Sequence, residues 1–330
     1  ILAVSHLIFI SQIAKMELSS SIRSKRDKAR EEICTMLQQE TSTYSNRFDY
    51  LAYAAREKNE KIHARFRRTI CSWLFEVVDH FQYDREVAVY AIYYLDTAAA
   101  IRTKKQDKTI KRREYQLISV TSLYLAIKIH GGHHNTSRPD IQSFANLTNG
   151  KFRAKEIERT EIDMLIMMKW NVSPPSASRF VVNFIYFIPE YWGQGNPDEL
   201  KSSKNEILSI FEVSRYLTEL ALHVSDISSN YNASEIAFAS ILRAMDDAKD
   251  NTYIPDWVRE EFISNITKST SLTITSVLPI CSLLNEYFRS TPSCSEQDIT
   301  TSHHKVHSPV SVRTYHTLEV QGDSSHQYRP

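Results

Sequence analysis

The stretch Tyr115-Gln116-Leu117-Ile118-Ser119-Val120-Thr121-Ser122-Leu123-Tyr124-Leu125-Ala126-Ile127-Lys128 decides the fold. It is almost continuously apolar, too short to span a bilayer, and reads as a helix buried on most sides. Lys128 closes it. A second charge, Glu161, interrupts the apolar stripe of a later helix over Ala154–Trp170, whose face carries Ile157, Met164, Leu165 and Met168. Glu161 lies four residues after Ile157 and four before Leu165, so it shares their side. Lys128 follows Tyr124 by four and Thr121 by seven. Two opposite charges at the edge of one core pair with each other, stay wet by snorkelling, or await a partner protein, because an unpaired buried charge is costly.

Helical periodicity extends outward from this stretch. Upstream, Ile70, Trp73, Leu74, Val77, Val78 and Phe81 recur at three and four, and Asp84 opens another run with Val87, Tyr90, Ala91, Tyr94 and Leu95. A basic loop, Arg102–Arg113, leads into the buried helix over 115–129, which Gly131-Gly132 ends. Ser137-Arg138-Pro139-Asp140 opens a short helix with Ser137 as candidate N-cap, and Asn149-Gly150 is a turn. Pro174-Pro175 breaks the pattern. It restarts over Phe180–Ile188, Ile207–Val224, Ile236–Ala244, Trp257–Ile266 and Val277–Phe288. The small residues of the third of these permit close helix approach. The chain thus reads as all-α, about five helices, a proline break and about five more.

Composition narrows the function classes. The 330 residues suffice for two domains, and 42% hydrophobic residues support real cores. A net charge of +1 argues against a wholesale polyanion binder, and 6 glycines and 10 prolines disfavour a loop-rich or dinucleotide-binding design. Cys34, Cys71, Cys281 and Cys294 are far apart and form no CxxC pair, so zinc and disulfide readings are weak and a reducing interior fits best. His133-His134 and His303-His304 lack acidic or cysteine neighbours at ligand spacing; no metal and no cofactor is expected. The opening apolar run Ile1–Ile10 lacks a basic flank. A signal peptide is the lesser reading, and a start at Met16 the preferred one. No later segment is expected to span a membrane. Residues 1–48 form a polar extension with a helix around Ala29–Gln39, and the Ser, Thr and His-rich 291–330 is expected to be a disordered tail.

Several motifs in order resemble the cyclin family. Arg67-Arg68-Thr69-Ile70-Cys71-Ser72-Trp73-Leu74-Phe75-Glu76-Val77 is similar to the first helix of the cyclin box, Tyr93-Tyr94-Leu95-Asp96 to the second, and Gln116-Leu117 with Leu125-Ala126-Ile127-Lys128 to the third. Glu161 stands at the fifth-helix glutamate, and Trp170-Asn171-Val172-Ser173-Pro174-Pro175-Ser176 resembles the exit from the box. The resemblance is strong over about 60–185 and elsewhere rests on helix count and order. It implies two tandem five-helix cyclin-box domains, 49–173 and 174–290, and a non-catalytic regulator of a cyclin-dependent serine/threonine kinase in cell-cycle control, closest to D-like or algal forms. It implies that Lys128 and Glu161 contact the kinase, with Phe152 as an apolar anchor beside them. It further implies a nuclear protein, with or without a cytoplasmic pool. Two departures touch the kinase side: Thr97 replaces the usual Arg after Asp96, and Ile129-His130-Gly131-Gly132 follows Lys128 where many relatives are acidic.

Phe66, Arg67, Ile70, Trp73 and Glu76 recur at helical spacing, with Gln116 beside them. As plain residues they read as core packing. In relatives the matching residues form a shallow groove for substrates bearing a basic-plus-leucine motif, with Trp as a wall and a carboxylate for the basic residue. Thr69 and Phe66 replace the usual aliphatic and Met. The basic run Arg102–Arg113 reads first as a solvated loop and second as a site for nucleic acid or phosphate or a nuclear address. Ser173-Pro174, Thr291-Pro292 and Ser308-Pro309 are minimal proline-directed phosphosites. No paired carboxylates, nucleophile–base pair or phosphate-cradling loop stands out. Two rivals remain: a cyclin-fold transcription factor binding DNA, which balanced charge disfavours, and a cyclin-fold scaffold that activates no kinase.

Overall fold

The computed structural model describes residues 24–45, 48–55, 62–132, 140–190, 197–251 and 254–290. Among them every element is helical: α1 over 24–42, α2 (Tyr50–Ala54), α3 (Ala64–His80), α4 (Glu86–Gln106), α5 (Arg112–His130), α6 (Ile141–Leu147), α7 (Ala154–Met167), α8 (Ala177–Phe184, running into a 3-10 turn Ile185–Phe187), α9 (Pro197–His223), α10 (Ser225–Asn230), α11 (Ala233–Asn251), α12 (Asp256–Ser269) and α13 (Ile274–Ser290). The apolar side chains gather into two clusters, one from α2 to α7 and one from α1 and α8 to α13. The proposed tail 291–330, Cys294, His133-His134 and His303-His304 lie outside the described residues.

Helix α5 is the axis of the first cluster. Tyr115, Ile118, Val120, Leu123, Leu125, Ala126 and Ile127 are all buried. The polar residues within it are accommodated locally: Ser119 Oγ donates to the Tyr115 carbonyl at 2.7 Å and Thr121 Oγ1 to that of Leu117 at 2.8 Å. The helix stops where Gly131 must be glycine, since a Cβ there would lie 2.5 Å from the Ile127 carbonyl oxygen, and Gly132 follows at φ +65°. Helix α11 plays the same part in the second cluster. Ile236, Ala237, Ala239, Ser240 and Ala244 are buried on it, so α8, α9 and α13 approach closely.

Four expectations change in detail. The basic loop is shorter than expected, because Arg102–Gln106 continue α4 and Arg112 and Arg113 already begin α5. Asp140, not Ser137, caps α6; its Oδ1 accepts from Ser143 N at 2.7 Å. The short helices α2 and α10 carry too few residues for a periodic signal. Finally, the helix in the polar extension is longer than Ala29–Gln39 and belongs to the second cluster, through Ala29, Ile33 and Met36. Arg26 donates to the carbonyls of Tyr186 and Ile188 at 2.7 and 3.2 Å, and Glu40 accepts from Ser234 N and Oγ at 3.1 and 2.6 Å at the N-terminus of α11.

Candidate functional site

The two charges singled out by the sequence meet. Lys128 Nζ, in the last turn of α5, donates to Glu161 Oε1 on α7 at 2.8 Å. The burial is lopsided: the Glu161 side chain is 8% exposed and that of Lys128 50%. Lys128 also lies 5.5 Å from the centre of the Tyr124 ring one turn earlier. The hydrogen bond that Lys128 donates to Glu161 is the main cause that raises the Lys128 pKa, so the ammonium stays charged. Residues three and four apart on each helix build this edge: Tyr124 packs edge-on to Phe144 of α6, while Ile157 and Met164 anchor α7 inside the core.

The two helices that hold the pair also expose apolar side chains that the core does not take up: Ile129 next to Lys128 on α5, Ile162 next to Glu161 and Ile166 on α7, and Trp170 just beyond it, 69% exposed. The end of α7 is strained. Lys169 and Trp170 both adopt left-handed backbone, φ +52° and +62°, while Lys169 N donates to Ile166 O and Trp170 N to Leu165 O. A left-handed bulky residue costs on the order of 1–3 kcal/mol, so the turn displays its indole at some expense. The exposed Ile residues lie one position outside the stripe that the spacing identified, and that offset is the signal by which they are legible.

Phe152 does not present itself beside the pair. It is 2% exposed within the first core, with the Arg113 and Lys151 cations 5.0 and 6.0 Å from its ring centre. It supports the first core from inside.

The α3 set divides. Phe66, Ile70, Trp73, Glu76 and Gln116 are partly exposed and form one strip. Arg67 is not part of it: the residue is fully buried, on the face that continues through Cys71, Leu74 and Val78. Its Nε and Nη2 grip Asp96 of α4 at 2.9 and 2.6 Å, and its Nη1 donates to the Leu222 carbonyl of α9 at 2.6 Å, which ties the two clusters together. Tyr50 OH donates to Asp96 at 2.7 Å and meets Tyr115 OH at 2.9 Å. Burial, then Asp96, raises both tyrosine pKa values well above the ordinary range, so both remain hydroxyl donors. Burial works against the Arg67 charge, but Asp96, together with Cys71 and Tyr50, more than offsets it, so the pKa is raised and the guanidinium stays charged. Burial pushes the neighbouring Cys71 thiol up to about 11, which leaves it unreactive.

At the exit from the box, the Val172 carbonyl accepts from Tyr94 OH and lies 3.0 Å from His130 Nε2, whose ring stacks on Tyr90 with centres 3.8 Å apart. This clamps the segment before Pro174-Pro175 to α4 and α5. Among the described residues no group of three His, Cys, Asp or Glu side chains is arranged to hold a metal ion, and no helix is long and apolar enough to cross a membrane.

A family model described as the cyclin N-terminal domain matches residues 32–173, a span that holds both ion pairs and the α3 strip. A G2/mitotic-specific cyclin-A from Patella vulgata is 24% identical over 188 residues, 57% of this chain and 38% of that protein. Cyclin-A1-2 from Arabidopsis thaliana is 23% identical over 236 residues, 72% of this chain and 48% of that one. A G1/S-specific cyclin-E from Drosophila melanogaster is 28% identical over 118 residues, 36% and 15% of the two chains. The chain therefore spans less than half the length of each of these relatives, and they carry A- and E-type names where the motifs leaned to D-like forms. Among solved structures, a viral cyclin from herpesvirus saimiri aligns with 80% of this chain and 97% of that one at 17% identity and TM-score 0.49. Over residues 32–173 the chain carries a cyclin N-terminal domain, and cyclins are similar to it across and beyond that span.

Proposed function

We propose that this protein is a non-catalytic regulatory subunit that binds and activates a cyclin-dependent serine/threonine kinase in cell-cycle control, acting in the nucleus. The observation that carries the reading is the exposed Lys128 ammonium fixed by a buried Glu161, on helices that also expose Ile129, Ile162, Ile166 and Trp170. A held ion pair on helices that expose apolar side chains suits a partner helix: the apolar residues supply area and the pair supplies register. Lys128 and Glu161 hydrogen-bond the kinase's mobile regulatory helix and its adjoining loop. That contact holds the helix whose glutamate pairs with the catalytic lysine, so the cyclin shifts a population and contributes no catalytic group.

The α3 strip supports the second part of the reading, recruitment of substrates. Trp73 and Ile70 give an apolar floor, and Glu76 gives a carboxylate for a basic residue. Arg67 lies on the buried face of the same helix, bound to Asp96 and the Leu222 carbonyl. The experiment is capture of a kinase from host extract by the full chain, with phosphotransfer assayed on the beads. Bound, active kinase is the expected result. Bound but inactive kinase would replace this reading with the scaffold, and no kinase together with salt-dependent DNA binding would replace it with the transcription-factor rival.

A further inference from the structure

The α3 strip has unlike ends. Glu76 closes one end and makes no ion pair among the described residues; partial burial, then Asp79, raises its pKa. Phe66 stands ten residues earlier, about 15 Å away along the helix. One cation lies on Phe66, and others lie on its neighbours Gln116 and Phe152. The Arg112 guanidinium lies 4.9 Å over the Phe66 ring. Gln116, one turn on from Arg112 and on the same side of α5, accepts from Lys151 Nζ. Arg113 reaches the Lys151 carbonyl at 3.3 Å and Glu156 at 3.0 Å. Exposed Lys104, Lys105, Lys108 and Lys111 run up to this corner. Residues 102–113 hold seven Lys or Arg and one Asp in a chain whose net charge is only +1, so the positive charge is concentrated here.

A merely solvated loop has no need to lay its cations on residues of a docking strip. We propose that this basic corner receives a phosphorylated residue of the docking segment, whose basic residue meets Glu76 and whose apolar residue lies on Ile70 and Trp73. The inference rests on the reading of the α3 strip as a docking groove. The span of about 15 Å fits four to five residues of extended peptide at about 3.3 Å each. A phosphate offers three strong acceptor oxygens, enough for Arg112, Lys151 and an adjacent lysine at once, where one carboxylate serves fewer. Nucleic acid fits less well, because neither aromatic ring at the corner stands open as a stacking platform: Phe66 is covered by Arg112, and Phe152 is buried.

The test is fluorescence anisotropy with the full chain and three labelled peptides that share a basic residue and a leucine. They differ only at the fifth residue past the basic one, which is Ser, phosphoserine or Glu. The phosphoserine peptide is expected to bind about tenfold tighter than the Ser peptide, with Glu between them. In Arg112→Gln/Lys151→Gln the gap closes to within about twofold while the Ser peptide keeps its affinity. Lys151→Gln alone, which leaves the cover over Phe66 in place, narrows the gap to about threefold. Equal binding of the Ser and phosphoserine peptides, or a gap that survives in the variants, overturns the proposal and leaves the groove standing. Failure of all three peptides to bind, with no change in Trp73→Ala, overturns the groove as well. A single-stranded oligonucleotide of equal charge that displaces the phosphopeptide at lower concentration also overturns it, in favour of a nucleic-acid site.

Discussion

Arg67–Asp96 and Lys128–Glu161 join neighbouring helices of one core at almost the same distance, 2.6 and 2.8 Å, and differ in what surrounds them. Arg67 is enclosed, and its partners lie inside the molecule: Asp96, the Leu222 carbonyl and, through Asp96, Tyr50 and then Tyr115. Lys128 has one carboxylate, one ring face and water. An enclosed ion pair fixes how α3, α4 and α9 sit, and its loss strands a charge in apolar surroundings. An open pair adds little to stability and leaves its ammonium accessible to a partner. The same chemistry thus does structural service at the seam between the two clusters and is available for recognition on the outer face of α5 and α7.

The contrast is most easily broken by removing the cations. Arg67→Ala should cost about 3–5 kcal/mol, read as a drop in denaturant midpoint, because Asp96 is then left with Tyr50 alone and the α3–α9 tie is gone. A loss near that of a surface substitution would erase the distinction between the two pairs.

The seam also carries a pH signature that the outer face lacks. His223, at the end of α9, stacks on Phe75 with ring centres 5.5 Å apart, and burial lowers its pKa to about 4. The unfolded chain takes up this proton below about 6.5 and the folded chain only below about 4. The stabilisation is therefore complete above the unfolded value and is lost as pH falls through that window, by about 2 kcal/mol between about pH 7.5 and about pH 5. Midpoints measured at both pH values should converge in His223→Phe; an unchanged slope would contradict the assignment.

The smallest stability effect is expected at the open pair. Lys128→Ala should move the midpoint by no more than about 1 kcal/mol, and raised salt should shrink even that. A loss as large as that of Arg67→Ala would make Lys128 a second structural cation and remove the reason to look for a partner.

Periodicity made the two major helices of the first core and both outer charges legible. It failed where a signal was local in space and distant in sequence. Arg67 was grouped with the strip because it follows Phe66 in a motif, although its spacing to Cys71, Leu74 and Val78 marks the inner face. Its partners Asp96 and Leu222 are 29 and 155 residues away, so no helical pattern announces them. Phe152 was placed by proximity to a motif, and its apolar bulk took it inside instead. Helix α1 shows its own apolar residues in sequence, but Arg26 reaches carbonyls 160 and 162 residues on, which only the folded chain brings near. Ser137 and Asp140 are equally good N-cap types, and the hydrogen bond from Ser143 N alone decides between them. Trp170 was read as part of an exit motif, with no indication that left-handed backbone turns it outward.

The most direct test of the central claim compares kinase capture by wild type, Lys128→Ala/Glu161→Ala and Arg67→Ala at a temperature where all three are folded by circular dichroism. The account predicts that the double variant loses bound kinase at least about tenfold while its unfolding midpoint stays closer to wild type than that of Arg67→Ala, which keeps its kinase. Undiminished capture by the double variant would contradict it, and would return Lys128 and Glu161 to an ordinary ion pair at the edge of a core.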